Sequence, residues 1–122
     1  MKILFAEDDK MMQKQLVYQM IKFDHEVTTV DNGKEALKAI EEDVFDVILL
    51  DIFMPKLSGL EVLEHIRNDG NSEIPVIIIS RDKHPETIQK AKDLGANDYI
   101  VKPYEPDELY IKLKRVTGHT AG

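Results

Sequence analysis

The sequence predicts a single α/β domain built on a doubly wound parallel sheet, and three observations carry that prediction. Residues 47–50 and 76–79 are unbroken apolar runs, the mark of strands buried on both faces. Between the short apolar runs lie stretches with apolar residues at helical spacing. The two kinds alternate five times in 122 residues, a length that suits one domain. Right-handed crossovers then restrict the topology to a sheet covered by helices on both faces.

The elements follow in order. Residues 2–6 read as the first strand, ended by Glu7, Asp8 and Asp9. The first helix spans 10–23, with Met12, Leu16, Val17, Met20, Ile21 and Phe23 at helical spacing and Asp9 as its N-cap. Residues 26–30 form the second strand, and Asp31-Asn32-Gly33 a turn. The second helix covers 34–42, with Ala36, Leu37 and Ile40 inward. Residues 47–50 are the third strand. Ser58 caps a third helix whose inner face is Leu60, Leu63 and Ile66, ending near Asn68-Asp69-Gly70. Residues 76–79 are the fourth strand. Pro85 suits the first turn of a fourth helix that carries Ile88, Ala91 and Leu94 and stops at Gly95. Residues 99–101 are the fifth strand. Pro106 opens the last helix, with Leu109, Leu113 and Val116 on one face. The domain is expected to cover residues 1–117, with 118–122 as a tail or the start of a linker.

Composition narrows the function. With 43% hydrophobic and 32% charged residues the chain reads as globular and soluble. A net charge of -7 argues against direct nucleic-acid binding, which needs a basic face. The absence of cysteine excludes disulfides and thiolate metal sites. The apolar run at the N-terminus is too short for a signal peptide, and no stretch approaches the roughly 20 apolar residues of a membrane span, so a cytoplasmic location is expected.

In an open parallel sheet the C-terminal ends of all strands share one edge, where ligands bind. Four of the five exits carry reactive groups: Glu7, Asp8 and Asp9 after the first strand, Asp51 after the third, Ser80 after the fourth and Lys102 after the fifth. Taken singly, each reads as well as a cap or a surface charge; Asp51 alone is equally a helix cap. Together they point to chemistry. Clustered carboxylates repel unless protonated or screened by a cation, and an all-oxygen donor set favours Mg²⁺ or a similar hard ion such as Mn²⁺. Lys102 is a point charge suited to a phosphoryl group, Ser80 can donate to one of its oxygens, and Asp51 can act as a nucleophile that forms an acyl phosphate.

These residues sit in a pattern. Ile3-Leu4-Phe5-Ala6-Glu7-Asp8, Val47-Ile48-Leu49-Leu50-Asp51-Ile52-Phe53-Met54-Pro55 with Gly59, Ile77-Ile78-Ile79-Ser80 and Gly95-Ala96-Asn97-Asp98-Tyr99-Ile100-Val101-Lys102-Pro103-Tyr104 together resemble the receiver domain of two-component response regulators, over roughly residues 2–116. The resemblance implies a flavodoxin-like (βα)5 fold with strand order 2-1-3-4-5. It implies Asp51 as the phosphoacceptor, served by a sensor histidine kinase or phosphotransfer protein. Asp8 would ligate Mg²⁺, Glu7 would do so directly or through water, and the Phe53 backbone carbonyl would be a further ligand beside Asp51. Lys102 would pair with the phosphoryl group and with Asp51. Ser80 would bond that group and move inward, with Tyr99 as the coupled aromatic switch. The Lys102-Pro103 bond would be cis. Phosphorylation would change the surface of helix 4, strand 5 and helix 5, a possible homodimer interface, where Lys90, Lys92, Asp98, Glu105 and Asp107 could form ion pairs. The chain would catalyse only its own phosphorylation and dephosphorylation.

Other residues take structural readings. Asp9 is a cap rather than a ligand. His25, His65, His84 and His119 fall in turns or on helix surfaces, and Met11, Met12 and Met20 fit a helix core. Two positions depart from the family pattern. Arg81 follows Ser80, where receivers carry a small residue, and could bind phosphoryl oxygens, hinder a donor or point into solvent. Phe53 is a large side chain two residues after Asp51, expected to shield an acyl phosphate from water. That same position speaks against a phosphatase that places a second aspartate there, and the acids after strand one speak against a nucleotide-binding loop. The alternative is a degenerate receiver that acts as a phosphorylation-independent scaffold.

Overall fold

The computed structural model describes residues 1–118. Its elements are β1 (Lys2–Ala6), α1 (Lys10–Ile21), β2 (Glu26–Val30), α2 (Gly33–Glu42), β3 (Val47–Asp51), α3 (Gly59–Glu64), β4 (Val76–Ser80), α4 (Pro85–Asp93), β5 (Asp98–Val101) and α5 (Pro106–Thr117). A π-helical segment, His65–Asp69, continues α3. All strand pairs are parallel, and the order is β2-β1-β3-β4-β5, as expected. His119 and residues 119–122 of the expected tail lie outside the described residues.

The alternation of side chains along each strand splits the core into two layers. Leu4, Ala6, Ile48, Leu50 and Ile78 face one way, against Ala36 of α2, Val62 and Leu63 of α3 and Ala91 of α4. Ile3, Phe5, Val47, Leu49, Ile77 and Ile79 face the other, against Leu16 and Met20 of α1 and Leu109 and Leu113 of α5. Every residue of β3 and β4 is buried, whereas no residue of the edge strand β2 is. The continuous apolar runs thus mark the central strands, each large side chain there contributing about 1.5–3 kcal/mol by burial.

Helix boundaries follow the capping chemistry. The Asp9 carboxylate accepts from the Met11 and Met12 amides, so it caps α1 as expected. Asn32 caps α2, which starts at Gly33, inside the expected turn. Ser58 and Glu61 form a reciprocal capping box on α3. Pro85 and Pro106 open their helices.

The structure corrects several readings. The buried face of α1 is Gln13, Leu16 and Met20, while Ile21 and Phe23 are exposed. Phe23 lies beyond the helix and stacks on Tyr110 of α5, with ring centroids 4.1 Å apart. Met11 is exposed and Met12 half-buried, so of the three methionines only Met20 is core. In α3 it is Val62, Leu63 and Ile66 that are buried, with Leu60 only partly so. His25 is buried and its Nδ1 lies 2.7 Å from the N-terminal amine.

The sheet's two ends differ. Beyond the C-terminal ends of the strands lies the acidic edge. At the opposite end, Met1, Asp46 and Pro75 share a shallow depression with Thr117 and Gly118, where α5 finishes. No described helix is long and apolar enough to cross a membrane.

Candidate functional site

Strand register alone brings the expected residues together. Ala6 pairs with Leu50, which sets Glu7 beside Asp51. Asp51 pairs with Ile79, and Ser80 pairs with Val101, so Ser80 and Lys102 follow on the other side. Glu7, Asp51 and Ser80 are 1%, 5% and 0% exposed. Asp8 is exposed. A cleft of about 390 Å³ opens beside Asp51, lined by Glu7, Asp8, Asp51 and Lys102, with Phe53 and Arg81 also on its wall. Arg81 is exposed yet borders the cleft, and Phe53 is 59% exposed.

The buried ammonium of Lys102 binds two carboxylates at once. Its Nζ lies 2.5 Å from Glu7 Oε1 and 3.1 Å from Asp51 Oδ2. The resemblance implies only the Asp51 partner; the bond to Glu7 is additional. The peptide bond between Lys102 and Pro103 is cis, and the Lys102 amide donates to the Ser80 carbonyl at 2.8 Å. The other Asp51 oxygen accepts from the Phe53 amide at 3.3 Å.

One cation for two buried carboxylates leaves a deficit. Desolvation is the largest influence on Glu7, partly offset by the Lys102 hydrogen bond and reinforced by Asp51; together they push its carboxyl up to about 7. Carboxylate oxygens of Glu7, Asp8 and Asp51 all lie within 4.8 Å of one another. An all-oxygen cluster with unscreened charge fits a hard divalent cation of the Mg²⁺ kind. Tyr104 packs nearby, and burial, with the Glu7 charge second, pushes its phenol up to about 12.

Two supports were not foreseen. Gln13 turns inward from α1 and its amide nitrogen donates to the Glu7 carbonyl and, at 2.8 Å, to Asp31 Oδ1. It ties the exits of β1 and β2 together, so a polar residue on the buried face of α1 fixes the backbone at Glu7. Gly59 packs on the backbone of Asp51 itself: a Cβ there would lie 2.2 Å from the Asp51 carbonyl oxygen. Between them the loop turns through Lys56 at φ 72°.

Tyr99 is buried, at 6% exposure. Its hydroxyl donates to the Asp82 carbonyl at 2.5 Å. Ser80 Oγ accepts from the Asp82 amide at 3.1 Å. His84 precedes α4 and its ring lies 2.7 Å from Asp82 Oδ1, while His65 pairs with Asp69 on the α3 surface.

The sequence matches the response regulator receiver domain family over residues 3–114. The chain belongs to that family. This receiver is 40% identical over 113 residues to the transcriptional regulatory protein KdpE of Staphylococcus aureus, a match that covers 93% of the chain and 48% of that protein. It is 35% identical to the transcriptional regulatory protein CrdR of Helicobacter pylori, over 93% of the chain and 54% of that protein. The receiver thus spans about half the length of the curated relatives it matches. Among solved structures, the receiver domain of the Francisella response regulator 1452 superposes with a TM-score of 0.91 at 33% identity, covering 96% of each chain. The receiver domain of the sensor histidine kinase PA1611 of Pseudomonas aeruginosa, solved with a magnesium ion in its active-site cleft, gives 0.86 at 28% identity over 96% of this chain and 97% of that one.

Proposed function

We propose that this receiver accepts a phosphoryl group on Asp51 from a phosphohistidine of a sensor histidine kinase or phosphotransfer protein, in the cytoplasm. The observation that carries the reading is the placement of Asp51, buried at the exit of β3, between the Lys102 ammonium and the oxygens of Glu7 and Asp8. An Asp51 carboxylate oxygen attacks phosphorus, the P–N bond to the imidazole breaks, and the acyl phosphate P–O bond forms. The leaving nitrogen keeps the electron pair and is protonated. Lys102 neutralises charge on the phosphoryl oxygens, and the Ser80 hydroxyl donates to one of them. Asp8, Asp51, the Phe53 carbonyl and Glu7 would hold Mg²⁺ or Mn²⁺, which supplies further charge neutralisation when bound.

Incubation with acetyl phosphate and Mg²⁺ is expected to add one phosphoryl group by intact mass, and Asp51→Asn to abolish the gain. No gain in the wild type would instead support a phosphorylation-independent scaffold, with Arg81 obstructing the cleft.

Phe53 on the cleft wall is expected to keep water from the acyl phosphate. Phe53→Asn should release phosphate about 2- to 10-fold faster, the scale of one weak contact in the transition state. An unchanged release rate would remove that role. The output surface in this reading is α4, β5 and α5, which meets a downstream target or a second copy. Lys90, Lys92, Glu105 and Asp107 are exposed there, but Asp98 already faces Lys112 of its own chain at 3.5 Å, which leaves it a poorer candidate for an intermolecular pair.

A further inference from the structure

Asp82 does not line the acidic cleft, yet it takes part in five hydrogen bonds. Its amide donates to Ser80 Oγ at 3.1 Å and its carbonyl accepts from the Tyr99 hydroxyl at 2.5 Å. Its carboxylate accepts from the His84 amide at 3.0 Å through Oδ1 and from the Thr87 hydroxyl at 2.9 Å through Oδ2. The His84 ring nitrogen Nδ1 also lies 2.7 Å from Oδ1. Main chain and side chain are thus used in opposite directions, the first toward the sheet and the second toward the start of α4.

The division has a consequence for Ser80. A hydroxyl offers one proton and two lone pairs. An amide that occupies a lone pair of Ser80 Oγ restricts where its proton can point. The same residue fixes the Tyr99 phenol, whose only proton is committed to the Asp82 carbonyl. Neither main-chain group would hold its direction in a free loop. The carboxylate supplies the restraint, because the aspartate-to-amide turn at His84 and the Thr87 bond tie residue 82 to the first turn of α4.

We propose that Asp82 is a positioning residue for phosphoryl transfer, its carboxylate pinning the β4–α4 loop to His84 and Thr87 so that its main chain aims the Ser80 hydroxyl and holds Tyr99 inward. The proposal rests on the reading of Asp51 as phosphoacceptor. It is carried by the bond pattern, and the electrostatics agree: the Asp82 carboxyl is held below the usual range, chiefly by the His84 amide, and the His84 imidazole above its own, chiefly by Asp82.

The test is the time course of phosphoryl gain with acetyl phosphate and Mg²⁺, followed by intact mass in the full chain. Asp82→Ala is expected to slow the gain about 3- to 10-fold, the scale of one well-placed hydrogen bond. Asp82→Asn keeps an acceptor for the His84 amide and a donor for Thr87, and is expected to recover most of the rate. Thr87→Val removes one of the pins and should fall between wild type and Asp82→Ala. A wild-type rate in Asp82→Ala overturns the proposal, and so does an equal loss in Asp82→Ala and Asp82→Asn. A loss in Asp82→Ala accompanied by unfolding is resolved by Thr87→Val, whose unchanged rate would also overturn it. Failure of the wild type itself to gain a phosphoryl group overturns the reading of Asp51 instead.

Discussion

Gly59→Ala is expected to cost about 1–3 kcal/mol of stability and to slow phosphoryl gain on Asp51 by about 10- to 100-fold. The methyl group would enter the carbonyl oxygen of Asp51 at 2.2 Å and its carbonyl carbon at 2.8 Å. Neither atom belongs to a flexible side chain. The collision is with the last residue of β3, which is bonded to β4 through the Asp51–Ile79 register and cannot retreat without breaking the ladder. The other party is the first residue of α3, held by the Ser58–Glu61 capping box and by the Gly59 amide on the Ile52 carbonyl at 3.0 Å. Strain is therefore relieved by moving Asp51, the proposed phosphoacceptor, relative to Lys102 and Glu7. Chemical denaturation and the mass time course read the two effects separately. A Gly59→Ala protein with the wild-type transfer rate would mean that the loop through Lys56 yields and Asp51 stays in place.

The second large effect concerns pH. Glu7 has its carboxyl at about 7 in the folded chain, against an ordinary value of 4.5. The folded state therefore binds this proton more tightly than the unfolded state does. The associated stability is fully present below about 4.5 and is lost as pH rises through about 7. In metal-free buffer the wild type should lose on the order of 1–3 kcal/mol across that window through this group. Glu7→Gln should lack this part of the slope, so the difference between the two melting curves isolates it from other acids. Lys102→Gln removes the cation that holds Glu7 down, and should steepen the loss and extend it to higher pH. Mg²⁺ held as proposed would compete with the proton, and should stabilise the wild type more at pH 8 than at pH 5, by about 1–3 kcal/mol at saturation. Parallel curves for wild type and Glu7→Gln would show that Glu7 titrates in the folded chain as it does in the unfolded one.

Much of this architecture was legible because it rests on short-range signals. The central strands announce themselves through runs with no polar residue, and Asp9, Ser58, Pro85 and Pro106 mark helix starts by local chemistry. The acidic edge was legible for a topological reason: parallel strands bring their exits together whatever the side chains do. What escaped depends on long-range partners. Gln13 looks like an ordinary polar helix residue until the carbonyls at the ends of β1 and β2 are seen to need its amide. Ile21 and Phe23 have helical spacing, but α1 ends at Ile21 and the chain turns so that Phe23 meets Tyr110 of α5. The π segment at His65–Asp69 has no marker in residue type; it shows in backbone bonding, such as the bond from the Gly70 amide back to the His65 carbonyl. Asp82 reads as a loop acid, because its role comes from its own main chain as much as from its carboxylate.

The ends of the sheet divide labour in a way that matters for handling the protein. The cleft over Asp51 faces one pole, while Met1, Thr117 and Gly118 gather at the other. A tether, dye or capture tag joined after Gly118 starts a full strand length from the cleft, roughly 15 Å by the rise of a five-residue strand. Surface-immobilised protein would then present the pole proposed to accept the phosphoryl group outward, so that donor access on a sensor chip can be compared directly with access in free solution.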